Sequence, residues 1–170
     1  MSDALTPTAP LPREIEVDPD HDAIRARLAA EGRRLWAGGH LMVPVLPLGS
    51  TLAGALAIAC RNGQLVLGLE RAQEALEAEA RGLTLMARRS GAAPGARVSR
   101  LVLVTNDGAE RLYRHVERLG VTHAPRVLVA MLAADAAALG RITTGRDAAV
   151  KVVLARHKQD VAALLRALTC

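Results

Sequence analysis

The sequence is almost free of aromatic residues: phenylalanine is absent, and Trp36 and Tyr113 are its single tryptophan and tyrosine. Since 51% of the 170 residues are nevertheless apolar, a sizeable core can form, and it must be packed from Leu, Val and Ala. Proteins that hold single-stranded nucleic acid usually stack its bases on aromatic side chains. The lack of rings therefore argues against recognition of that kind.

Cysteine is also scarce, and long apolar runs are missing. The two cysteines, Cys60 and Cys170, form neither a disulfide framework nor a CxxC pair, which fits a reducing cytoplasm. The first twenty residues lack the basic and apolar regions of a signal peptide. No apolar run approaches the roughly 18 residues that a membrane-spanning helix needs. We expect a cytoplasmic protein with no membrane partner.

The charge is strongly basic, with a formal net charge of +5 and a pI near 10.2, and nearly all the cations are arginine. A basic balance favours anionic partners, nucleic acid first and a membrane surface second. The alternative is that a chain rich in Ala, Arg and Leu reflects a GC-rich coding sequence. Charge alone leaves both interpretations open.

The first 49 residues are predicted to lie outside the main domain. Residues 1–20 hold four prolines and several acids without periodicity, which predicts a disordered tail. Residues 21–49 are predicted to form an N-terminal helix and a linker. Ile24, Leu28 and Leu35 fall on one helical face, while Pro44 and Pro47 favour a linker or edge segment.

From residue 50 onward, predicted strands alternate with predicted helices. The strands are expected at 65–67, 100–105, 126–132 and 149–155. The helices are expected at 51–61, from about 70 to as far as 86, at 109–119, at 135–139 and at 157–168. The segments 88–100 and 140–147 are predicted to be loops. This alternation predicts an α/β fold whose sheet carries helices on both faces.

No pattern in the sequence supports catalysis, a metal site or a cofactor. The five histidines share no ligand spacing, and neither a nucleophile elbow, a P-loop nor a GxGxxG motif is present. Cys60 lies in an apolar helix and is interpreted as a small core residue. Asp107 could act as an acid, but its "TNDG" context is typical of a turn. We expect a non-enzymatic protein.

Three connections are interpreted as strand-to-helix junctions, where ligands of open α/β sheets gather. They are 68–71, 105–108 and 140–147. Arg71, Arg141 and Arg146 supply cations to them, and Thr143 and Thr144 supply hydroxyl donors. This coincidence favours nucleic-acid binding.

Four stretches, taken in order, resemble the ribosomal L-seven-Ae/L-thirty-e family and its bacterial YlxQ-like relatives. They are "LAGALAIACRNGQLVLGLERAQEAL", "RLVLVTNDGAERLYRHV", "DAAALGRITTGRDAAVKVVLA" and "QDVAALLRAL", and together they cover roughly residues 50–168. The resemblance implies a three-layer α/β/α sandwich with a four-stranded mixed sheet. It also implies that residues 50–170 form an RNA-binding domain.

The same resemblance implies which residues meet the RNA, commonly a kink-turn and possibly ribosomal. In the family, the turn before the second helix and the loop after the "LGR" segment contact the RNA. Carried onto this chain, the contacts fall on Gly68, Glu70, Arg71, Arg141, Thr143 and Thr144, with Asn106 and Asp107 shaping the adjacent turn.

This chain departs from the family at that turn. Kink-turn binders carry Gly-x-Asn-Glu-x-x-Lys, whereas Glu70, Arg71 and Glu74 occupy the Asn, Glu and Lys positions here. An acid in place of the lysine removes a phosphate contact, so general binding to structured RNA is favoured over kink-turn specificity. The alternative is a protein-interaction module on the same fold, docking through the predicted helix at 21–37 or the C-terminal helix at 160–168.

Overall fold

The computed structural model describes residues 9–93 and 95–170. Its helices are α1 (Arg13–Glu16), α2 (His21–Ala30), α3 (Ser50–Arg61), α4 (Leu69–Ser90), α5 (Glu110–Thr122), α6 (Ala136–Thr144) and α7 (Lys158–Arg166). Its strands are β1 (Gly32–Arg34), β2 (Met42–Leu46), β3 (Leu65–Leu67), β4 (Arg100–Val104), β5 (Val127–Leu132) and β6 (Val152–Ala155). No helix in these ranges is both long and apolar enough to cross a membrane.

The strands form one open mixed sheet in the order β1-β2-β5-β4-β6-β3. β2, β5 and β4 are parallel, whereas β6 is antiparallel to both β4 and β3, and β1 is antiparallel to β2. The predicted α/β class and mixed sheet are therefore confirmed. The predicted number of strands is wrong, because the described residues give six strands instead of four.

The two additional strands come from the segment predicted as helix and linker. α2 ends at Ala30, and Leu35 is buried in a different core from Ile24 and Leu28. The apparent helical face therefore joined residues from opposite sides of the sheet. Pro44 is tolerated in β2 because pairing with β5 begins only at Val45, so the missing N–H interrupts no ladder hydrogen bond on that side.

Side chains alternate between two cores, one on each face of the sheet, as strand geometry requires. One face is covered by α4 and α5, whose inward side chains include Leu76 and Val116. The other face is covered by α1, α2, α3, α6 and α7. Helices on both faces of the sheet are thus observed, and the N-terminal elements share these cores.

The described part of the predicted disordered tail is ordered. Leu11 and Ile15 are both 0% exposed and belong to the core beneath α1. The Leu11 N–H donates to Glu16 Oε1 at 3.0 Å, and Arg25 Nη2 donates to the same oxygen at 2.6 Å. The prediction of disorder is wrong for residues 9–20, because two apolar side chains suffice to anchor this segment. Residues 1–8 lie outside the described residues.

Two predicted loops are shorter than expected because the helices before them run further. α4 continues to Ser90 and ends at Gly91, whose φ of 68° gives a left-handed end. α6 continues through Thr144 and ends at Gly145, with φ 70°. The prediction of a loop over 140–147 is therefore wrong for 140–144, which form the second half of α6.

Candidate nucleic-acid interface

The topology brings two of the three predicted junctions, 68–71 and 105–108, to one edge of the sheet. β2, β3, β4 and β5 run in the same direction, so their carboxyl ends lie at a common edge, where α3, α4, α5 and α6 begin. β6 runs in the opposite direction and starts there. We call this the carboxyl-end edge, and it consists of residues 47–49, 68–71, 105–109, 133–136 and 145–151.

Hydrogen bonds between backbone groups join the segments of this edge around the start of β6. The Gly68 N–H donates to Val152 O at 2.8 Å, and the Thr105 N–H donates to Lys151 O at 3.0 Å. The Asn106 N–H donates to Ala134 O, also at 3.0 Å. Predicted residues from two distant parts of the sequence, Gly68 and Asn106, are thereby brought to the same place.

Gly68 forms the sharp turn between β3 and α4. Its φ of 96° and ψ of 150° lie in a region that side chains with a Cβ rarely adopt. Nothing lies within 4 Å of where its Cβ would be, so the requirement for glycine comes from the backbone and not from space. No side-chain hydrogen bond caps the helix that follows. The first-turn N–H groups of α4, beside the exposed Glu70 and Arg71, remain open.

The Asn106–Asp107 turn is structural. Asp107 Oδ1 accepts a hydrogen bond from the Ala136 N–H at 3.1 Å and so caps α6. Desolvation opposes ionisation of Asp107, but the hydrogen bonds to its carboxylate, that from the Ala136 N–H first among them, together with the nearby Lys151 outweigh it and hold the pKa of the carboxyl below its usual value. The hydroxyl of Tyr113 donates to Thr105 O and accepts from the Gly108 N–H, at 2.9 Å each. The carboxylate of Asp107 therefore stabilises the start of α6.

The two predicted threonine donors are also used within the fold. Thr143 is buried, and its hydroxyl donates to Leu139 O at 2.8 Å. The hydroxyl of Thr144 donates to Gly140 O at 2.6 Å and accepts from the Arg146 N–H at 3.2 Å. Because residues 140–144 are helical, both hydroxyls donate to carbonyls one turn earlier in α6.

A close backbone contact holds the connection after α6 against that helix. A Cβ on Gly140 would lie 1.5 Å from Ala148 O, so only glycine allows this approach. The Val150 N–H donates to Ala136 O at 3.0 Å and returns the chain to the edge. The connection brings the exposed Lys151 to the start of β6, whereas the exposed Arg146 lies at its other end, just after the C-terminus of α6.

Lys151 is a residue that sequence reasoning missed. The predicted strand began at residue 149, which placed Lys151 inside it, whereas β6 begins at Val152. A lysine just before an uninterrupted apolar run was the available signal. Arg141, in contrast, was predicted and lies exposed in the last turn of α6.

Acidic and basic side chains both lie at this edge, but only the acids make hydrogen bonds that cap a helix there. Asp135 and Asp107 cap α6 through the Ala138 and Ala136 N–H groups. No side-chain hydrogen bond caps α3, α4 or α5. Within residues 9–93 and 95–170, no group of three or more His, Cys, Asp or Glu side chains is arranged to hold a metal ion. The edge offers open helix ends and exposed cations.

Comparison with solved structures gives distant likenesses, two of which are described below. No family model and no curated protein sequence matches the chain. A protein of unknown function from Bacillus halodurans C is 19% identical, with a TM-score of 0.47 over 69% of this chain and 97% of that one. The Giardia lamblia 15.5kD RNA binding protein is 15% identical, with a TM-score of 0.46 over 69% of this chain and 84% of the other. Since both TM-scores are below 0.5, neither likeness bears on what this chain binds.

Proposed function

We propose that this chain is a non-enzymatic RNA-binding protein that contacts structured RNA through the carboxyl-end edge of its sheet. The observation that carries the proposal is the meeting of three features at that edge. These are the glycine turn into an uncapped α4, the exposed Arg71 beside it, and the basic connection ending at Lys151. Gly68 and Thr105 are bonded to residues 151 and 152, which makes this one continuous surface.

The chemistry of the edge suits phosphate groups. The open N–H groups at the start of α3, α4 and α5 carry partial positive charge and can donate to anionic oxygens. Arg71, Arg146 and Lys151 are exposed and add full charges. Backbone phosphates supply most of the affinity in nucleic-acid complexes, and contacts of this kind do not depend on sequence.

Structured RNA is favoured over single strands because neither the Trp36 ring nor the Tyr113 ring is free for stacking. The indole N–H of Trp36 donates to Glu117 Oε2 at 2.8 Å, and its ring lies 4.5 Å from the Arg114 guanidinium carbon. Tyr113 is buried beneath the 105–108 turn. Recognition through shape and backbone contacts is the mode that remains, as in proteins that bind folded RNA.

We propose binding to structured RNA in general, without selectivity for kink-turns. Glu70 and Glu74 are exposed one turn apart at the start of α4, and both repel a phosphate approaching Arg71. The neighbouring cations on the connection after α6 compensate for a general RNA backbone. Ribosomal RNA is one structured RNA of this kind.

The alternative is a protein-interaction module, and the helix faces predicted for it are buried within this chain. Ile24 and Leu28 of α2 are fully buried in the core of this chain, and so are Val161 and Leu165 of α7. The apolar faces proposed for a protein partner are thus occupied within the fold. RNA binding is therefore the function that the geometry supports best.

Fluorescence anisotropy tests the proposal with three labelled nucleic acids at two salt concentrations. They are a kink-turn RNA, the same RNA with its G·A pairs replaced, and a duplex DNA. We expect salt-sensitive binding to both RNAs with similar affinity and weaker binding to the DNA. Much tighter binding to the intact kink-turn would show that Glu70 and Glu74 are tolerated and would contradict the general mode. No binding to either RNA would remove the proposal.

A further inference from the structure

A large cleft lies at the opposite edge of the sheet from the proposed RNA surface. Its volume is about 740 Å³, which is within the range of roughly 300–1,000 Å³ typical of small-molecule sites. It lies where β4 and β5 begin and β6 ends, between α1, the second half of α4 and the start of α7. We call it the arginine cleft, and its charged lining is Arg13, Glu14, Glu79, Arg97, Arg100, Arg126 and Lys158.

Cations outnumber acids in this lining by five to two. Glu79 Oε2 accepts from Arg100 Nε at 2.8 Å and from Arg126 Nη2 at 3.0 Å. Arg156 Nε lies 3.7 Å from Glu79 Oε1, so one carboxylate faces three guanidinium groups. The side chains of Glu79, Arg100 and Arg126 are largely withdrawn from solvent, at 15%, 19% and 13% exposed, whereas that of Arg156 is 45% exposed. The excess positive charge around Glu79 is thus only partly screened by water.

The other carboxylate of the lining is engaged outside the cleft, where Glu14 Oε2 lies 3.7 Å from Arg166 Nη2. Among residues 9–93 and 95–170, no carboxylate lies within ion-pair distance of Arg13, Arg97 or Lys158. Lys158 is also the first residue of α7, whose start has no side-chain cap. Three cations and an open helix end therefore face the cleft without a partner of opposite charge.

We propose that the arginine cleft binds the phosphate group of an organic phosphate. Guanidinium groups present paired N–H donors that match phosphate oxygens, and a lysine adds a compact charge. Leu83 and Met86 line the same cleft, and Met86 is 65% exposed. This apolar wall is suited to the organic part of the ligand. The phosphate ester belongs either to a free small molecule or to a nucleotide unit of an RNA strand.

The test is isothermal titration of the whole chain with ADP, and anisotropy with the RNA that lacks G·A pairs. The cleft variant is Arg13→Gln/Lys158→Gln, chosen because neither side chain makes an ion pair or hydrogen bond in the described structure. The matched control is Arg61→Gln/Arg118→Gln, which removes the same charge from two exposed residues outside the cleft. A second cleft variant, Arg126→Gln, weakens the cluster around Glu79.

We expect the cleft variant to bind ADP at least roughly tenfold more weakly than the wild type, since charge-assisted hydrogen bonds of this type are lost. The control should bind as the wild type does. If ADP does not bind but the cleft variants lose affinity for RNA, the phosphate comes from RNA and the site stands. The proposal is overturned if neither probe binds, or if both bind the cleft variants as tightly as the control.

The outcome is separable from that of the proposed function. The variant Arg71→Ala/Lys151→Ala alters the carboxyl-end edge and should leave ADP binding unchanged. ADP binding that is lost in the cleft variants, together with no RNA binding at all, would retain the cleft and remove the RNA-binding proposal. RNA binding that depends on the edge residues alone, with no ADP binding, would retain the RNA-binding proposal and remove the phosphate site in the cleft.

Discussion

Replacing Gly140 by alanine should unfold the connection that carries Arg146 and Lys151. The new Cβ would lie 1.5 Å from Ala148 O and 2.5 Å from Ala148 C. Packed atoms stay about 3.5 Å apart, so the backbone has to move by about 2 Å. Alanine gains about 1 kcal/mol in a helix relative to glycine. Overpacking costs about 1–3 kcal/mol, and because the obstacle here is backbone that cannot rotate away we expect the upper end of that range. After the gain from alanine, the expected net loss is about 2 kcal/mol.

The assay is urea unfolding followed by circular dichroism, with RNA affinity measured on the folded variant. Gly54→Ala is the matched control, because Gly54 is also helical but exposed, with nothing within 4 Å of its Cβ position. That control should gain up to about 1 kcal/mol. If Gly140→Ala were as stable as Gly54→Ala, the close approach of α6 and Ala148 would be refuted.

Two further changes test the turn and the acid response. Gly68→Ala should lose about 1–3 kcal/mol of unfolding free energy, because φ 96° with ψ 150° suits only glycine. Gly91→Ala, at φ 68° and ψ 2°, should lose less; equal losses would contradict this reasoning. Desolvation opposes ionisation of Glu117, but hydrogen bonds from the Leu41 N–H and the Trp36 indole outweigh it and hold its pKa below the ordinary 4.5. Its stabilisation is therefore complete above that value and lost as pH falls through the folded pKa, so Glu117→Gln should flatten the decline in stability between neutral pH and about pH 3. If the pH dependence of the unfolding free energy were the same in Glu117→Gln and the wild type, this role of Glu117 would be contradicted.

Much of the sheet was predictable because apolar runs bounded by turn residues leave few alternatives. The run Leu101–Val104 and the run Val127–Leu132 are buried on both faces, and such strands read as uninterrupted apolar segments. β1 was not predictable, since Gly32–Arg34 carries no apolar residue. In addition, the seven-residue spacing of Leu35 from Leu28 is typical of one face of a helix, and this favoured a helix where β1 lies.

Parts of the carboxyl-end edge were predictable for a similar reason. Gly68 and the Asn106–Asp107 turn carry local signals, and the parallel strands bring them together. Thr143 was misplaced because the end of α6 depends on the close contact between Gly140 and Ala148, which no local pattern reveals. The arginine cleft was not predicted, because its cations come from four separate segments that come together only in the folded chain.

The most direct test of the central claim compares RNA affinity and its salt dependence in two variants. Arg71→Ala/Lys151→Ala removes two cations from the carboxyl-end edge, and Arg61→Ala/Arg118→Ala removes two exposed cations elsewhere. The account predicts that the first variant binds structured RNA more weakly, with a salt slope reduced by about 2, while the second binds as the wild type does. Equal binding by both variants, with the fold intact, would contradict the claim that RNA meets the protein at this edge.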